Sequence, residues 1–140
     1  MSPAKTVVEP VNTEHATGFP VTVSRGGVTL LEARDADTFF ARLRGLHALP
    51  PLGPMQALII RPCSAVQTWT MRTPIDVAFL DRDARILKLD RLPPRRFSSC
   101  RGAIAAMEMA NGAIDRLELR EHDTLEITRE PDIDQPRSDR

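Results

Sequence analysis

The polar side chains that could do chemistry are concentrated in residues 62–81, among otherwise apolar segments. Asp76 lies in residues 75–80, where all five of the remaining positions are apolar. A carboxylate in a buried strand must be hydrogen-bonded or paired, or must take up a proton. The candidate partners are the guanidinium groups of Arg72, Arg95 and Arg96 and a backbone turn. Asp76 therefore predicts a structural contact that fixes a corner of the fold, or alternatively the polar floor of a ligand pocket; we favour the first interpretation.

A second carboxylate, Glu108, stands in the apolar run of residues 104–110. A single acidic residue on a strand is usually explained by a face that meets water. Two carboxylates in one cleft could instead serve as general acid and general base, and their separation would decide the reaction. Asp76 and Glu108 are therefore one basis for an enzymatic alternative.

The two cysteines, Cys63 and Cys100, form no C-x-x-C pair, which argues against a thioredoxin-like site or a zinc ribbon. Cys100 lies among several arginines, and nearby cations stabilise a thiolate. Both are therefore candidates for a reactive thiol, and a disulfide between them is conceivable in an oxidising compartment. We favour the simpler interpretation that both side chains fill the core.

The chain lacks the usual signatures of metal, cofactor and nucleic-acid binding. His15, His47 and His122 have no metal-ligand spacing, so we expect no metal site. No P-loop, G-x-G-x-x-G or G-x-S-x-G motif is present, so we expect no cofactor. Nineteen basic and 19 acidic residues leave no net charge to attract nucleic acid. The arginines of residues 91–101 could contact an anion, but a solvated loop is the commoner explanation.

The helix signals are few. Residues of one apolar helix face recur between positions 35 and 46, namely Phe39, Phe40, Leu43 and Leu46. Asp35 or Asp37 can cap the start of this helix, and Gly45 can end it. A second, shorter helix is predicted over residues 113–119.

Short strands dominate the rest of the chain. They are predicted at residues 21–23, 28–33, 56–60, 66–71, 75–80, 86–89 and 124–128, with a further buried segment at 103–110. Turns are predicted at Gly26-Gly27, over residues 81–84 and at Asn111-Gly112. There are too few helices for parallel βαβ units. We therefore predict a β-rich α+β fold with a strongly curved or barrel-like, mostly antiparallel sheet.

The predicted organisation is a single globular domain over residues 19–130, with a loosely ordered arm at 1–18 and a tail at 131–140. No apolar run reaches the roughly 20 residues of a membrane span. The first residues lack the continuous apolar stretch of a secretory signal, so we expect a cytoplasmic protein, or an exported one if a leader has been removed.

Several motifs occur in a recognisable order. The most specific is M-R-T-P-I-D-V-A-F-L-D at residues 71–81, and R-x-x-G-L at 42–46 precedes it. L-P-P-R-R at 92–96 and C-R-G-A-I-A-A-M-E-M-A-N-G at 100–112 follow it. Over about residues 30–127, this order resembles the bacterial and archaeal family called domain of unknown function 192. The resemblance implies a compact β-rich fold with a fixed Arg/Asp corner, and it implies no established activity.

The chain departs from this pattern at four positions. Similar chains commonly have His where Gln67 stands, and Met or Leu where His47 stands. Ala84 and His122 replace two turn glycines, so we expect both turns to adopt conformations that L-residues tolerate. The motif residues most worth testing are Gln67, Thr68, Met71, Arg72, Pro74 and Asp76.

A polar motif within apolar strands, without a recognisable catalytic set, favours a non-enzymatic binding module. The partner would be a small polar or anionic ligand, or another protein. The candidate ligand-binding residues are Gln67, Thr68, Met71, Arg72, Asp76, Arg95 and Arg96. The alternatives are an enzyme that uses a cysteine nucleophile or the carboxylate pair, and a motif that serves folding alone.

Overall fold

The computed structural model describes residues 19–36, 52–69 and 71–129. These residues form nine strands and one short helix. In chain order, the elements are β1 (Phe19–Arg25), β2 (Val28–Ala36), β3 (Gln56–Ile60), β4 (Ala65–Gln67), β5 (Ile75–Leu80), β6 (Ile86–Leu92), β7 (Phe97–Ser99), β8 (Ala105–Ala110), α1 (Ala113–Arg116) and β9 (Glu126–Arg129). The predicted arm at 1–18 and tail at 131–140 lie outside the described residues.

Seven strands form one sheet in the order β6-β5-β8-β3-β2-β1-β9, and β4 pairs with β7 in a separate two-stranded sheet. The fold is β-rich and mostly antiparallel, as predicted. One pair, β2 and β3, runs parallel with Glu32 opposite Gln56, which departs from the predicted lack of parallel units. A strand that runs parallel to its neighbour must begin at the same end of the sheet. The connection between β2 and β3 has enough residues to bring the chain back to that end.

The large sheet is curved but is not closed into a barrel. Its edge strands are β6 and β9. Arg85 and Thr124, which lie just before these strands, form an isolated antiparallel bridge. Beside it, the Ile86 N–H donates to the carbonyl of Asp123 at 2.8 Å. The two edges therefore meet at one end only, and the barrel-like part of the prediction is not confirmed.

Alternation along the strands divides the buried side chains between two faces of the sheet. The main core lies on the inner face and includes Leu31, Ile59 and Met107. A smaller core on the other face packs Val66 of β4 against Val77 and its neighbours on β5 and β8. The two-stranded sheet therefore covers the outer face of β5, which is buried at all six positions.

The two predicted helices have different outcomes. Asp35, proposed as a helix cap, instead pairs with Phe19 near the end of β2, and the rest of the predicted helix at 37–46 lies outside the described residues. The second helix is confirmed in shorter form as α1. Two residues beyond its end, Glu118 adopts φ 55°, which is incompatible with a continuing right-handed helix.

Two strand predictions needed correction. The strand predicted over residues 66–71 ends at Gln67, because the carbonyl of Thr68 accepts from the Met71 N–H at 3.1 Å and so closes a turn. The strand β7 was not predicted, since Phe-Ser-Ser has no apolar alternation. The hairpins at Gly26-Gly27 and over residues 81–84 are confirmed by the antiparallel pairing of their flanking strands.

The expectation for the two turns without glycine is wrong. Ala84 has φ 63° and His122 has φ 79°, both in the left-handed region that favours glycine. Long-range hydrogen bonds hold these turns in place: the Leu125 N–H donates to the carbonyl of Ala84 at 2.9 Å, and the His122 N–H donates to the carbonyl of Ile86 at 2.7 Å. Tertiary contacts thus impose a conformation that L-residues adopt at a cost.

We predict that His122→Gly stabilises the protein relative to His122→Ala. Both variants lose the exposed contact between the imidazole and Arg85, so they differ only in the Cβ atom. Because the left-handed conformation costs an L-residue about 1–2 kcal/mol, the glycine variant should have the higher free energy of unfolding by about 1 kcal/mol. Urea unfolding of the two variants measures this difference, and equal stabilities would contradict it.

Candidate functional site

Thr68 joins the loop that follows β4 to the loop that precedes β7. Its side chain is fully buried. The hydroxyl donates to the carbonyl of Pro93 at 2.7 Å and accepts from the Arg96 N–H at 2.8 Å. Its own N–H donates to Arg96 at 2.8 Å, and its carbonyl accepts from the Arg95 N–H at 3.0 Å. These contacts tie the two loops together. Because the only O–H of Thr68 already donates to Pro93, the hydroxyl has no further proton to donate to a ligand.

The two tied loops carry exposed aromatic and basic side chains. Gln67 pairs with Phe97 across the small sheet, and Trp69 and Phe97 are 60% and 64% exposed. The guanidinium groups of three exposed arginines make no ion pair with any residue that the structure describes. We call this the Trp–Arg surface, and its members are Gln67, Trp69, Arg72, Arg95, Arg96 and Phe97.

The local backbone gives this surface a defined shape. The Gln67 side-chain oxygen accepts from the Trp69 N–H at 2.7 Å. Arg95 adopts φ 64°, and from this conformation its N–H reaches Thr68. Met71, predicted as a ligand contact, is instead half-buried against the outer core. Sequence reasoning had left out Trp69, although its position in the polar run Gln-Thr-Trp-Thr was a signal of exposure.

Asp76 lies away from this surface, on the inner face of β5, and is fully buried. One carboxylate oxygen, Oδ2, accepts from the Ile114 N–H in the first turn of α1 at 2.8 Å. The other, Oδ1, is buried without a hydrogen-bond partner among the described residues. The opposite residue on β6, Arg91, bonds Asp115 instead at 2.5 Å. Of the candidate partners, the backbone is therefore the correct one, and the arginine partners are wrong.

The two buried carboxylates are on opposite faces of the sheet. In the pairing of β5 with β8, Asp76 stands opposite Met109 and Val77 stands opposite Glu108. Directly paired residues share a face and successive residues alternate, so Glu108 points to the outer face and Asp76 to the inner face. Glu108 is also buried, which corrects the expectation that it faces water. The acid–base pair of the enzymatic alternative is therefore wrong.

Both cysteines are free and pack against the outer core, as core-filling residues would. The Cys100 N–H donates to the carbonyl of Ser64 at 2.9 Å, which places Cys100 beside the segment that holds Cys63. Burial raises the pKa of the Cys63 thiol, and the negative charge of Glu108 adds to this effect against the opposing hydrogen bond to Ala65. A thiol of this kind is poorly ionised at neutral pH, so Cys63 is a weak nucleophile.

Two further properties bear on the type of site. Within residues 19–36, 52–69 and 71–129, no group of three or more histidine, cysteine or acidic side chains could hold a metal ion. No helix in that part of the chain has the length and apolar character needed to cross a bilayer.

Several known proteins are similar to this chain in sequence or in fold. The model of the family DUF192, described as "Uncharacterized ACR", matches residues 21–127. The chain belongs to this family. A DUF192 relative named UPF0127 protein, from Thermococcus sibiricus, is 32% identical over 108 residues, which cover 74% of this chain and 70% of the relative. The resemblance found in the sequence is confirmed.

Two solved structures share the fold of this DUF192 chain. A protein of unknown function from Novosphingobium aromaticivorans superposes with a TM-score of 0.66 at 23% identity, over 88% of this chain and 93% of that one. A proposed transcription regulator from Sinorhizobium meliloti superposes with a TM-score of 0.65 at 19% identity, over 79% and 95%. Identities this low establish a common fold and no common function.

We predict that the contact between Asp76 and Ile114 stabilises the fold independently of Arg72. Asp76→Ala leaves a buried N–H without its acceptor and should lower the free energy of unfolding by about 2 kcal/mol. Asp76→Asn retains an oxygen that can accept the same N–H, and should lose much less. Urea unfolding of each variant, alone and combined with Arg72→Ala, provides the measurement. Because Arg72 is exposed, a coupling energy above about 1 kcal/mol would contradict this account.

We also predict that Cys63 reacts slowly with iodoacetamide. In Cys100→Ser it is the only remaining cysteine, so its alkylation rate can be followed alone. A raised pKa means less thiolate at neutral pH, so the folded protein should react more slowly than the same variant unfolded in urea. The rate should increase as the pH rises through 8 and 9. A folded-state rate above the unfolded rate at pH 7 would restore Cys63 as a candidate nucleophile.

Proposed function

We propose that this DUF192 protein is a non-enzymatic binding module whose Trp–Arg surface binds an acidic segment of a partner protein. The observation that carries the proposal is the combination of two aromatic side chains, Trp69 and Phe97, that are 60% and 64% exposed on loops with three arginines. These arginines have no acidic partner within the described residues. Unpaired guanidinium groups beside exposed aromatic rings would be complementary to carboxylates on a partner.

The composition of this surface supports a protein partner. Tryptophan and arginine are the residues most enriched among those that dominate binding energy in protein interfaces. A large aromatic side chain left in water gains free energy when a partner covers it. The tryptophan and phenylalanine are more than half exposed, so they do not enclose a small molecule, and a peptide segment could cover both.

The anchoring of the loops supports a binding role as well. Hydrogen bonds between Thr68 and residues 93–96 fix the backbone of Trp69, Arg95 and Arg96. A preorganised surface loses less conformational entropy on binding than a flexible one. The left-handed conformation of Arg95 is the kind of local strain that persists where a particular geometry is useful.

An enzymatic role has less support. The carboxylates lie on separate faces, and Cys63 is poorly ionised at neutral pH. We further infer a cytoplasmic location, because two free cysteines on neighbouring segments suit a reducing compartment.

Intrinsic fluorescence can test the proposed surface. Trp69 is the only tryptophan, so its emission reports on this surface alone. We expect a ten-residue glutamate peptide to change the emission saturably, and a glutamine peptide of equal length to have no effect. Arg95→Ala combined with Arg96→Ala should weaken binding at least about tenfold, because two charge-assisted contacts are lost. The binding should also weaken as salt is added.

The matched control is Arg120→Ala combined with Arg101→Ala, which removes two exposed arginines outside the Trp–Arg surface. If this control weakens peptide binding as much as the Arg95 and Arg96 substitutions, the effect is one of net charge and the proposal fails. A duplex DNA of 20 base pairs should be tested in parallel, because a structural relative is a proposed transcription regulator. Tighter binding of DNA than of the acidic peptide would replace a protein partner with nucleic acid.

A further inference from the structure

The strand β6 forms one free edge of the seven-stranded sheet. It is seven residues long, against four for β9 at the other edge. At its start, the N–H and C=O of Ile86 bond Asp123 and His122. Beyond Ile86, no backbone hydrogen bond reaches the free side of β6 from residues 19–36, 52–69 or 71–129. A sheet edge that is open in this way can pair with a further strand.

The free backbone groups of this edge belong to Leu89 and Arg91. Successive residues of a strand direct their N–H and C=O groups alternately to its two sides. The N–H of Asp81, directly after β5, donates at 3.0 Å to a carbonyl just before β6, so the odd-numbered residues of β5 turn toward β6. Lys88 and Asp90 stand opposite odd-numbered residues of β5 and bond that strand. Leu89 and Arg91 therefore direct their backbone groups to the free edge.

Opposite charges flank Leu89 on this edge. The side chains of Lys88 and Asp90 are 38% and 34% exposed. Lys88 donates to the carbonyl of Ser99 at 2.8 Å, and Asp90 accepts through Oδ2 from the Ser98 hydroxyl at 2.6 Å. These contacts orient both side chains. Within the described part of the chain, they leave Oδ1 of Asp90 and at least one ammonium proton of Lys88 without a hydrogen bond.

An antiparallel copy of β6 matches this edge in one register. With Leu89 opposite Leu89 of the second copy, the two N–H groups donate to each other's carbonyls. Lys88 of each copy then stands opposite Asp90 of the other, where opposite charges attract. A shift by two residues in either direction places Lys88 opposite Lys88 or Asp90 opposite Asp90. Charges that usually protect an edge strand from pairing thus permit a single arrangement here.

We propose that β6 pairs with β6 of a second copy of this chain across a twofold axis at Leu89, so that the two large sheets become continuous. Both copies use the same surface, so this pairing is complete at two copies. The residues of β6 include no member of the Trp–Arg surface. Either proposal can therefore fail without the other.

Sedimentation velocity of the full chain tests the pairing. We expect a monomer–dimer equilibrium that depends on protein concentration between about 1 µM and about 1 mM. Lys88→Asp and Asp90→Lys should each weaken dimerisation at least about tenfold, because each places two like-charge pairs across the axis. Glu32→Lys makes the same change in net charge as Asp90→Lys, at an exposed position of β2. This matched control should dimerise as the parent does.

A mixture of the two charge variants distinguishes lost pairing from a damaged fold. An equimolar mixture of Lys88→Asp and Asp90→Lys should form a heterodimer, because an acidic edge then faces a basic one. The proposal is overturned if the parent remains monomeric throughout the concentration range, or if both variants dimerise as the parent does. It is also overturned if the mixture associates no more strongly than either variant alone.

A second pair of variants tests the backbone contact. Arg91→Pro removes an N–H that faces the free edge and not β5, so the monomer should fold while dimerisation is lost. Arg91→Ala loses the same side-chain contact with Asp115 but retains the N–H, and it should dimerise. Circular dichroism confirms that both variants are folded. A folded Arg91→Pro variant that dimerises as well as Arg91→Ala would contradict pairing through this edge.

Discussion

The strand β5 is buried on both faces, and much of the rest of the structure follows from that constraint. All six of its residues are buried, so both of its faces must be covered. The curved seven-stranded sheet encloses the inner face, and the small sheet of β4 and β7 covers the outer face. A single polar residue, Asp76, interrupts the strand, and its buried carboxyl group needs a hydrogen-bond partner inside the protein. The Ile114 N–H at the start of α1 provides that contact, so the requirement of β5 also fixes where the helix begins.

The cover on the outer face determines where the side chains of the Trp–Arg surface lie. The two strands of the cover are only three residues long, so a sheet of this size needs support from its flanking loops. Thr68 gives that support through its buried hydroxyl and its backbone. The opposite face of the cover cannot be buried at the same time. Gln67 and Phe97 therefore face outward, and the loops beside them project Trp69 and the arginines.

The sequence was most informative where a pattern is local. β3 and β5 were predicted with their observed bounds, because continuous apolar runs between turn signals specify buried strands. β7 was missed because its Phe-Ser-Ser sequence depends on pairing with β4 rather than on its own pattern. The parallel direction of β3 beside β2 was missed for a related reason: strand direction depends on the route of the connection and not on the residues within the strand.

The candidate site was harder to predict than the fold. The burial of Asp76 could be inferred from its apolar neighbours, but its partner is 38 residues away in a different type of element. No spacing rule links a strand carboxylate to a particular backbone N–H across that distance. The positive φ angles of Ala84 and His122 were mispredicted because contacts from distant residues hold both turns. Local residue preference was overruled by tertiary hydrogen bonds at both positions.

The resemblance described above implies a histidine in similar chains where Gln67 stands, and this exchange has a simple physical interpretation. The side-chain oxygen of Gln67 accepts from the Trp69 N–H at 2.7 Å, and this contact shapes the turn that projects the indole. A neutral imidazole can also accept a hydrogen bond through one ring nitrogen, whereas only the imidazole can gain and lose a proton near neutral pH. Glutamine and histidine therefore share the ability to accept a hydrogen bond, but only histidine can change its charge near neutral pH. Gln67 therefore keeps the acceptor that holds the Trp69 backbone in place, without a group that titrates near neutral pH.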